Sequence, residues 1–362
     1  MAGPAAMAHI FLALPPGLRQ IRAHRAVRAG THESHPVLAT AFFSSGDVIA
    51  DRRADYARML AGNGEHEAAA ELMSQALERA PDWAAGWDLL GSYHDKAGNI
   101  AAAIAAWRRL EALDDAGVFG ARLKLAAHAA GAAGQGTALG YVEALFDQYA
   151  PQFEASLLGR LGYRVPEMLA QLVAEHMALA GLDGFERALD LGCGTGLMGE
   201  RLRGAVDQLE GIDISAAMIA ETARKGIYDR LQKAELVAAL NARRSDLDLV
   251  TAADVFIYCG ALEPVLAALV PALKPGGLAA FSLEAHEGEE AVFLRPSLRY
   301  AHGVAATRAA LAGAGLDIVR FETAVLRFDR GAPVSGLLIL AQRPAVAVAA
   351  ANETTAGGDQ VA

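Results

Sequence analysis

Asp190, Gly192, Gly194 and Gly196 alternate with other residues in Ala188-Leu189-Asp190-Leu191-Gly192-Cys193-Gly194-Thr195-Gly196. A short apolar run carries an acid, a triplet of glycines follows, and a helical pattern begins at Leu197. The run reads as a strand, a tight turn and a helix, the arrangement that opens a nucleotide-sized site at the ends of parallel strands. Glycine suits the turn because a Cβ would block both the sharp bend and the close approach of a ligand. A second apolar stretch, residues 208–212, ends in Asp213 and Ile214, with Ser215 and Met218 opening another helix. Asp213 stands 17 residues past Gly196, near the offset at which an acid accepts from a ribose diol. A carboxylate can take both vicinal hydroxyls at once. The plainer alternative is that Asp213 caps the next helix.

The glycine spacing is not that of the dinucleotide fingerprint G-x-G-x-x-G, because Leu197 stands where the third glycine belongs. D-x-G-x-G-x-G instead resembles motif I of the class I S-adenosylmethionine (SAM) methyltransferases, and "GIDIS…M" resembles their second motif. The resemblance implies SAM as cofactor. The turn, with Cys193 and Thr195, would lie against its methionine part, and Asp190 would orient its ammonium group, often through water. Asp213 would take the ribose, and Ile214 and Met218 would belong to the cofactor site. Glu235, after a short strand near residues 231–234, would accept from the adenine amino group, and Leu236 would pack on the ring. In that superfamily the end of the fourth strand faces the methyl group, which makes Asp254 a residue of the cofactor and acceptor sides, and Tyr258 one of the acceptor side. As alternatives, Asp254 caps a helix and Tyr258 is a core wall.

"FDQYAPQFE" followed by "LGYRVP", and later "LRPSLRYAHG", resemble segments of a bacterial group of SAM methyltransferases that carry tetratricopeptide (TPR) repeats. Helices in the first segment would cover the SAM pocket, so Tyr149 becomes an acceptor-binding candidate and Tyr163 and Arg164 cofactor-binding ones. A guanidinium can bind the SAM carboxylate in bidentate fashion, and Arg164 is assigned that task. A surface arginine packed on a tyrosine is the equal alternative. Arg299, Tyr300 and His302 place a cation, a phenol and an imidazole within four residues. Arg299 would bind an anionic or carbonyl-bearing acceptor, while Tyr300 and His302 are the catalytic candidates, His302 as general base. A lone histidine is more often structural.

The elements that must hold these residues form two parts. Gly64, Ala69, Met73, Ala76 and Pro81 recur as Gly98, Ala103, Trp107, Leu110 and Asp115, an offset of 34 residues that matches the TPR period. Residues 49–130 are therefore expected to be an all-α, TPR-like domain, with a last helix near 120–130 closing the open face. The glycine-rich stretch 131–140 reads as a linker. Residues 141–343 read as an α/β, Rossmann-like, seven-stranded class I methyltransferase domain, ending in an antiparallel hairpin. Residues 1–48 and 344–362 read as weakly ordered or disordered ends, the first carrying Arg19, Arg22, Arg25 and Arg28 either as a solvated tail or as a targeting segment.

The chain has 362 residues and a net charge of −10, which disfavours a broad phosphate-binding surface and hence nucleic acid as partner. Two unpaired-looking cysteines, Cys193 and Cys259, suggest a reducing, cytoplasmic setting. No apolar run approaches a membrane span, and no metal-ligand spacing is visible. The function expected is transfer of a methyl group from SAM to an oxygen or nitrogen of a small-molecule or carrier-bound acceptor. The TPR part would bind a protein partner or form a homodimer. A protein methyltransferase, a silent SAM-binding scaffold and a nucleotide-dependent oxidoreductase stand as alternatives.

Overall fold

The computed structural model describes residues 44–128, 136–150, 153–154, 162–329 and 331–345. The expectations for residues 1–43, for 131–135 of the linker and for the tail from 346 fall outside the described residues.

Four helices, Val48–Gly62, His66–Leu77, Ala84–Lys96 and Ile100–Glu111, follow one another with short connections. Asp47 starts the first by accepting from the Ile49 and Ala50 amides, which satisfies donors that have no partner within the helix. Each hairpin turns at a glycine with positive φ, Gly64 at 86° and Gly98 at 81°. The positions related by the sequence period face inward together: Ala69 and Ala103, Met73 and Trp107, Ala76 and Leu110 are all buried. Gly91 makes room for Trp107, whose Nε1 would lie 2.2 Å from a Cβ there. A fifth helix, Ala121–His128, continues the layer, and its Leu123 joins Leu294 and Tyr300 of the α/β part in one buried cluster.

The α/β part is built on strands β1 (Phe185–Leu191), β2 (Val206–Asp213), β3 (Arg230–Lys233), β4 (Leu247–Ala252) and β5 (Leu273–His286), parallel in the order β3-β2-β1-β4-β5. β8 (Asp317–Asp329) and β9 (Ala332–Gln342) complete the sheet, β9 antiparallel to β5. Helices cover both faces over two apolar layers, one around Leu189, Phe256 and Leu269, the other around Leu169, Leu209 and Leu340. The expected seven strands are joined by two more. In the polar stretch after β5, Val292–Leu294 forms β6 and Tyr300–Gly303 forms β7, which runs parallel to the last residues of β5. Residues Lys274–Gly277 lie inside β5 as an interruption of register: Leu273 pairs with Leu247 and Leu278 already with Leu249.

Register decides where the site falls. Asp190 pairs with Gly211 on one side and Thr251 on the other. The residues that leave β1, β2 and β4 (Gly192, Ile214 and Ala253) therefore emerge at one edge of the sheet. Helix Leu139–Tyr149 reaches that edge. Its Asp147 accepts from the Ser215 hydroxyl and the Ala217 amide, and its Glu143 pairs with Lys233.

Candidate functional site

A cavity of about 950 Å³ opens at this edge, near the upper end of the range for small-molecule sites. One end is backbone and small residues. Gly192 and Gly194 both line it in the left-handed region, with φ of 59° and 54°. A Cβ on Gly192 would strike Val255 at 2.6 Å, and one on Gly194 would approach the Phe153 ring, another wall residue, at 3.6 Å. The loop is held from behind: the Cys193 amide donates to Ile212 O and the Gly196 amide to Cys193 O. Asp213 lines the same end. Its carboxylate accepts from the Gly194 and Ser215 amides, at 2.9 and 2.8 Å, and retains lone pairs for a diol. Burial raises its pKa from the ordinary carboxylate value. Ile214, Glu235 and Leu236 follow along the wall. Glu235 also caps helix Leu236–Asn241, accepting from the Val237 and Ala238 amides.

The other end is made of long side chains. Asp254 lines it, its backbone at φ 57°, a conformation that costs an L-residue energy unless its surroundings fix it. They do. The Asp254 amide donates to Ser282 Oγ, whose hydroxyl donates to Asp254 Oδ1, each at 2.9 Å. Arg327 Nη1 donates to Oδ2 at 2.6 Å. Arg327 also pairs with the buried Glu284, and Arg295 approaches Glu284 from the far side at 3.1 Å. Arg299 and Tyr258 stand next to each other on the wall. Burial lowers the Arg299 pKa, but Tyr258 and the carboxylates of Glu284 and Asp254 outweigh it and raise it overall. The remaining wall is aromatic: Phe146 meets Tyr258 edge-on at 5.5 Å and Phe153 at 6.1 Å, and Phe153 meets Tyr149 at 5.8 Å. Tyr163 closes the floor, nearly fully buried, and burial pushes its phenol pKa up.

The residues singled out in the sequence divide into two sets. Gly192, Gly194, Asp213, Ile214, Glu235, Leu236, Asp254, Tyr163, Tyr149, Tyr258 and Arg299 come together in the cavity. Asp190, Cys193, Thr195, Gly196, Met218, Arg164, Tyr300 and His302 are not among its lining residues.

The reasons differ. Asp190 is buried beneath the loop, accepting from Tyr228 Oη at 2.6 Å and Thr251 Oγ1 at 2.7 Å. Burial pushes its pKa up to about 6 against those two hydrogen bonds. Burial also raises the Cys193 thiol, and Met218 packs in the core. Arg164 is a correction in place: its side chain is 71% exposed and pairs with Glu167 at 3.3 Å. Tyr300 is fully buried. His302 is also buried, and its Nε2–H donates to Gly260 O at 3.0 Å. Burial lowers the His302 pKa to about 4, so the ring is neutral and its one N–H is committed. The geometry gives neither catalytic candidate an approach to the cavity.

Among the residues that escaped the sequence reading, three shape the site most directly. Tyr228 organises the back of the glycine loop: its hydroxyl donates to Asp190 and accepts from the Gly199 amide. Its ring fills the space that Cβ atoms on Gly199 and Gly211 would take, at 2.3 and 2.9 Å. Arg327, 3% exposed, had only a weak signal, a charge between Leu326 and Phe328 in a strand that also carries Arg320, Glu322 and Asp329. Phe146 had only its helical spacing.

Residues 189–279 match the methyltransferase-domain family. The chain is 32% identical to the malonyl-[acyl-carrier protein] O-methyltransferase of Enterobacter lignolyticus over 27% of this chain and 39% of that protein. It is 32% identical to the ubiquinone biosynthesis O-methyltransferase of Burkholderia multivorans over 30% of this chain and 47% of that one. The chain thus spans less than half the length of these relatives. The magnesium protoporphyrin IX methyltransferase of Synechocystis PCC 6803, solved with bound SAM, aligns at a TM-score of 0.38 and 21% identity, covering 49% of this chain and 79% of that one.

Residues 189–279 are thus similar to a methyltransferase domain, and the cofactor that the motifs within them imply is SAM. The residues present fit it. The side-chain-free Gly192–Gly194 face, a carboxylate with spare acceptor capacity at the end of β2, and the apolar Ile214 and Leu236 supply places for an aminoacyl chain, a ribose and a base. Among the described residues no group of acids, histidines and cysteines is arranged to hold a metal ion. No described helix is long and apolar enough to cross a membrane.

Proposed function

We propose that this protein transfers a methyl group from SAM to an oxygen or nitrogen of a small-molecule or carrier-bound acceptor. The observation that carries this reading is one cavity that joins two unlike linings: a glycine loop and Asp213, and Tyr258, Arg299 and an apolar wall. The two curated relatives described above are named as O-methyltransferases, one of them of a malonyl-[acyl-carrier protein]. Bound SAM supplies an electrophilic methyl on its sulfonium. The chain's own task is positioning. Asp213 holds the ribose hydroxyls, and the Gly192–Gly194 backbone lets the aminoacyl chain lie close. Tyr149, Phe146 and Phe153 cover the reacting centre against water. Orientation of two bound partners can supply much of the rate on its own.

We read residues 49–130 as two TPR units with a closing helix. The buried pairs Ala69 and Ala103, and Met73 and Trp107, support this reading by filling equivalent places one period apart. Such a layer would recruit a protein partner, a carrier that presents the acceptor, or a second copy of the chain.

The test is titration of the purified chain with SAM by calorimetry, followed by methyl-tritiated SAM in an extract separated into protein and small-molecule fractions. SAM binding with label in either fraction is expected. No SAM binding sinks the reading, and binding without transfer leaves a scaffold.

A further inference from the structure

The acceptor end of the cavity holds a cation without a matching anion. Arg299 lines the wall and is partly buried, with the Tyr258 phenol beside it. Among the described residues it forms no ion pair. The neighbouring carboxylates are already taken. Asp254 is bound to Arg327 and Ser282, and Glu284 lies between Arg327 and Arg295. Three guanidinium groups therefore share two carboxylates, and among the described residues Arg299 is the one left without an ion pair. A buried guanidinium gains most from a carboxylate that can meet its planar fork.

A second observation is independent of charge. Among the described lining residues there is no histidine. The imidazole nearest in sequence, His302, is buried outside the cavity with its N–H on Gly260 O. Asp254, the acid on this side, is ion-paired with Arg327 and accepts from Ser282, and a cation held on a carboxylate makes it a weaker base. Among its described lining residues the site presents a cation and no free imidazole, which suits an acceptor that arrives already ionised.

We propose that the acceptor is a carboxylic acid on an apolar body, held through its carboxylate by Arg299 and Tyr258, and that the product is its methyl ester. This rests on the methyltransferase reading and names the substrate class of the same site. Leu139, Val142, Leu145 and Val292 provide the apolar wall for the body. In the step a carboxylate oxygen lone pair forms the O–CH3 bond, and the methyl carbon–sulfur bond breaks with its electrons passing to sulfur. A carboxylate anion and a sulfonium cation become a neutral ester and a neutral thioether, and no proton leaves. The Arg299 position is separate from the cofactor end: it lies in the connection between β6 and β7, beside β5, whereas the glycine loop leaves β1 and Asp213 ends β2.

The experiment pairs decanoate and 4-butylbenzoate with decanol and 4-butylphenol as acceptors for the full chain and methyl-tritiated SAM. Label should appear only with the acids, be released as volatile methanol by alkali, and accrue at a rate that is flat from about pH 6 to 9, because carboxylates are ionised throughout that range. Arg299→Gln should lower kcat/KM for the acid about 100-fold, with SAM affinity kept within about threefold. Arg299→Lys should recover part of the loss. SAM affinity also reports that the variants fold. Transfer to the phenol or alcohol alone, or to neither acid while SAM binds, overturns the carboxylate assignment and leaves methyl transfer standing. Equal loss of SAM affinity in Arg299→Gln places this residue at the cofactor end and overturns the proposal. No SAM binding by the wild-type chain overturns the functional reading itself and this proposal with it.

Discussion

The two ends of the cavity are built by different means. The cofactor end is backbone, glycine and two carboxylates, Asp213 and Glu235, drawn mainly from residues 192–236, and its shape follows from strand register. The acceptor end is side chains from Leu139–Tyr149, the loop after β4, the β6–β7 connection and β8, and its shape follows from a buried charge network. A site made of backbone repeats its geometry wherever the turn is repeated. A site made of converging side chains can be rebuilt by changing any one of them, and that is where one fold comes to act on many substrates.

The largest effect that could break this contrast concerns Arg327. Arg327→Met should leave Asp254 and Glu284 buried without their shared cation and cost about 3–5 kcal/mol of stability, read by urea denaturation. A loss below 1 kcal/mol would mean the network does not hold the acceptor end together.

His302 gives the next. Its pKa in the folded chain is about 4, below the unfolded value of about 6.5. Between those pH values the unfolded chain takes up a proton that the folded chain refuses, so stability is full above about 6.5 and falls as pH drops toward 4. The 2.5-unit gap corresponds to roughly 3 kcal/mol, and His302→Gln should flatten the stability profile by about that amount. An unchanged profile would show that the ring is not buried as described.

At the cofactor end, Asp213→Ala should weaken SAM binding about 100-fold by calorimetry, the scale of losing hydrogen bonds to a charged group, with little change in acceptor affinity. The smallest effect sharpens the boundary. Arg164→Ala should change SAM affinity less than twofold and stability by less than about 0.5 kcal/mol, because its side chain is exposed. A tenfold loss of SAM affinity would restore the role first read for it.

Legibility in the sequence follows the same division. Helix Ala216–Lys225 and the hinge at Gly192 could be read because apolar period and glycine spacing are local. Asp213 and Glu235 could be placed because one ends its strand and the other stands two residues past its own. His302 and Tyr300 were misjudged as catalytic candidates because an imidazole and a phenol carry no mark of the face they occupy. β7 pairs with the end of β5 and turns both inward. Asp190 was read toward the cofactor, since nothing local announces that Tyr228, 38 residues on, will claim it. The four-part acceptor wall has no contiguous signature at all.

The amide of Thr137 donates to the carbonyl of Tyr258 at 3.2 Å, and Gly136 lines the cavity. The chain that leaves the helical layer is thus itself part of the wall facing the acceptor. For anyone recombining such proteins, the helices are not a detachable cassette. A crossover placed at Gly136 and Thr137 would exchange part of the cavity wall along with the helices.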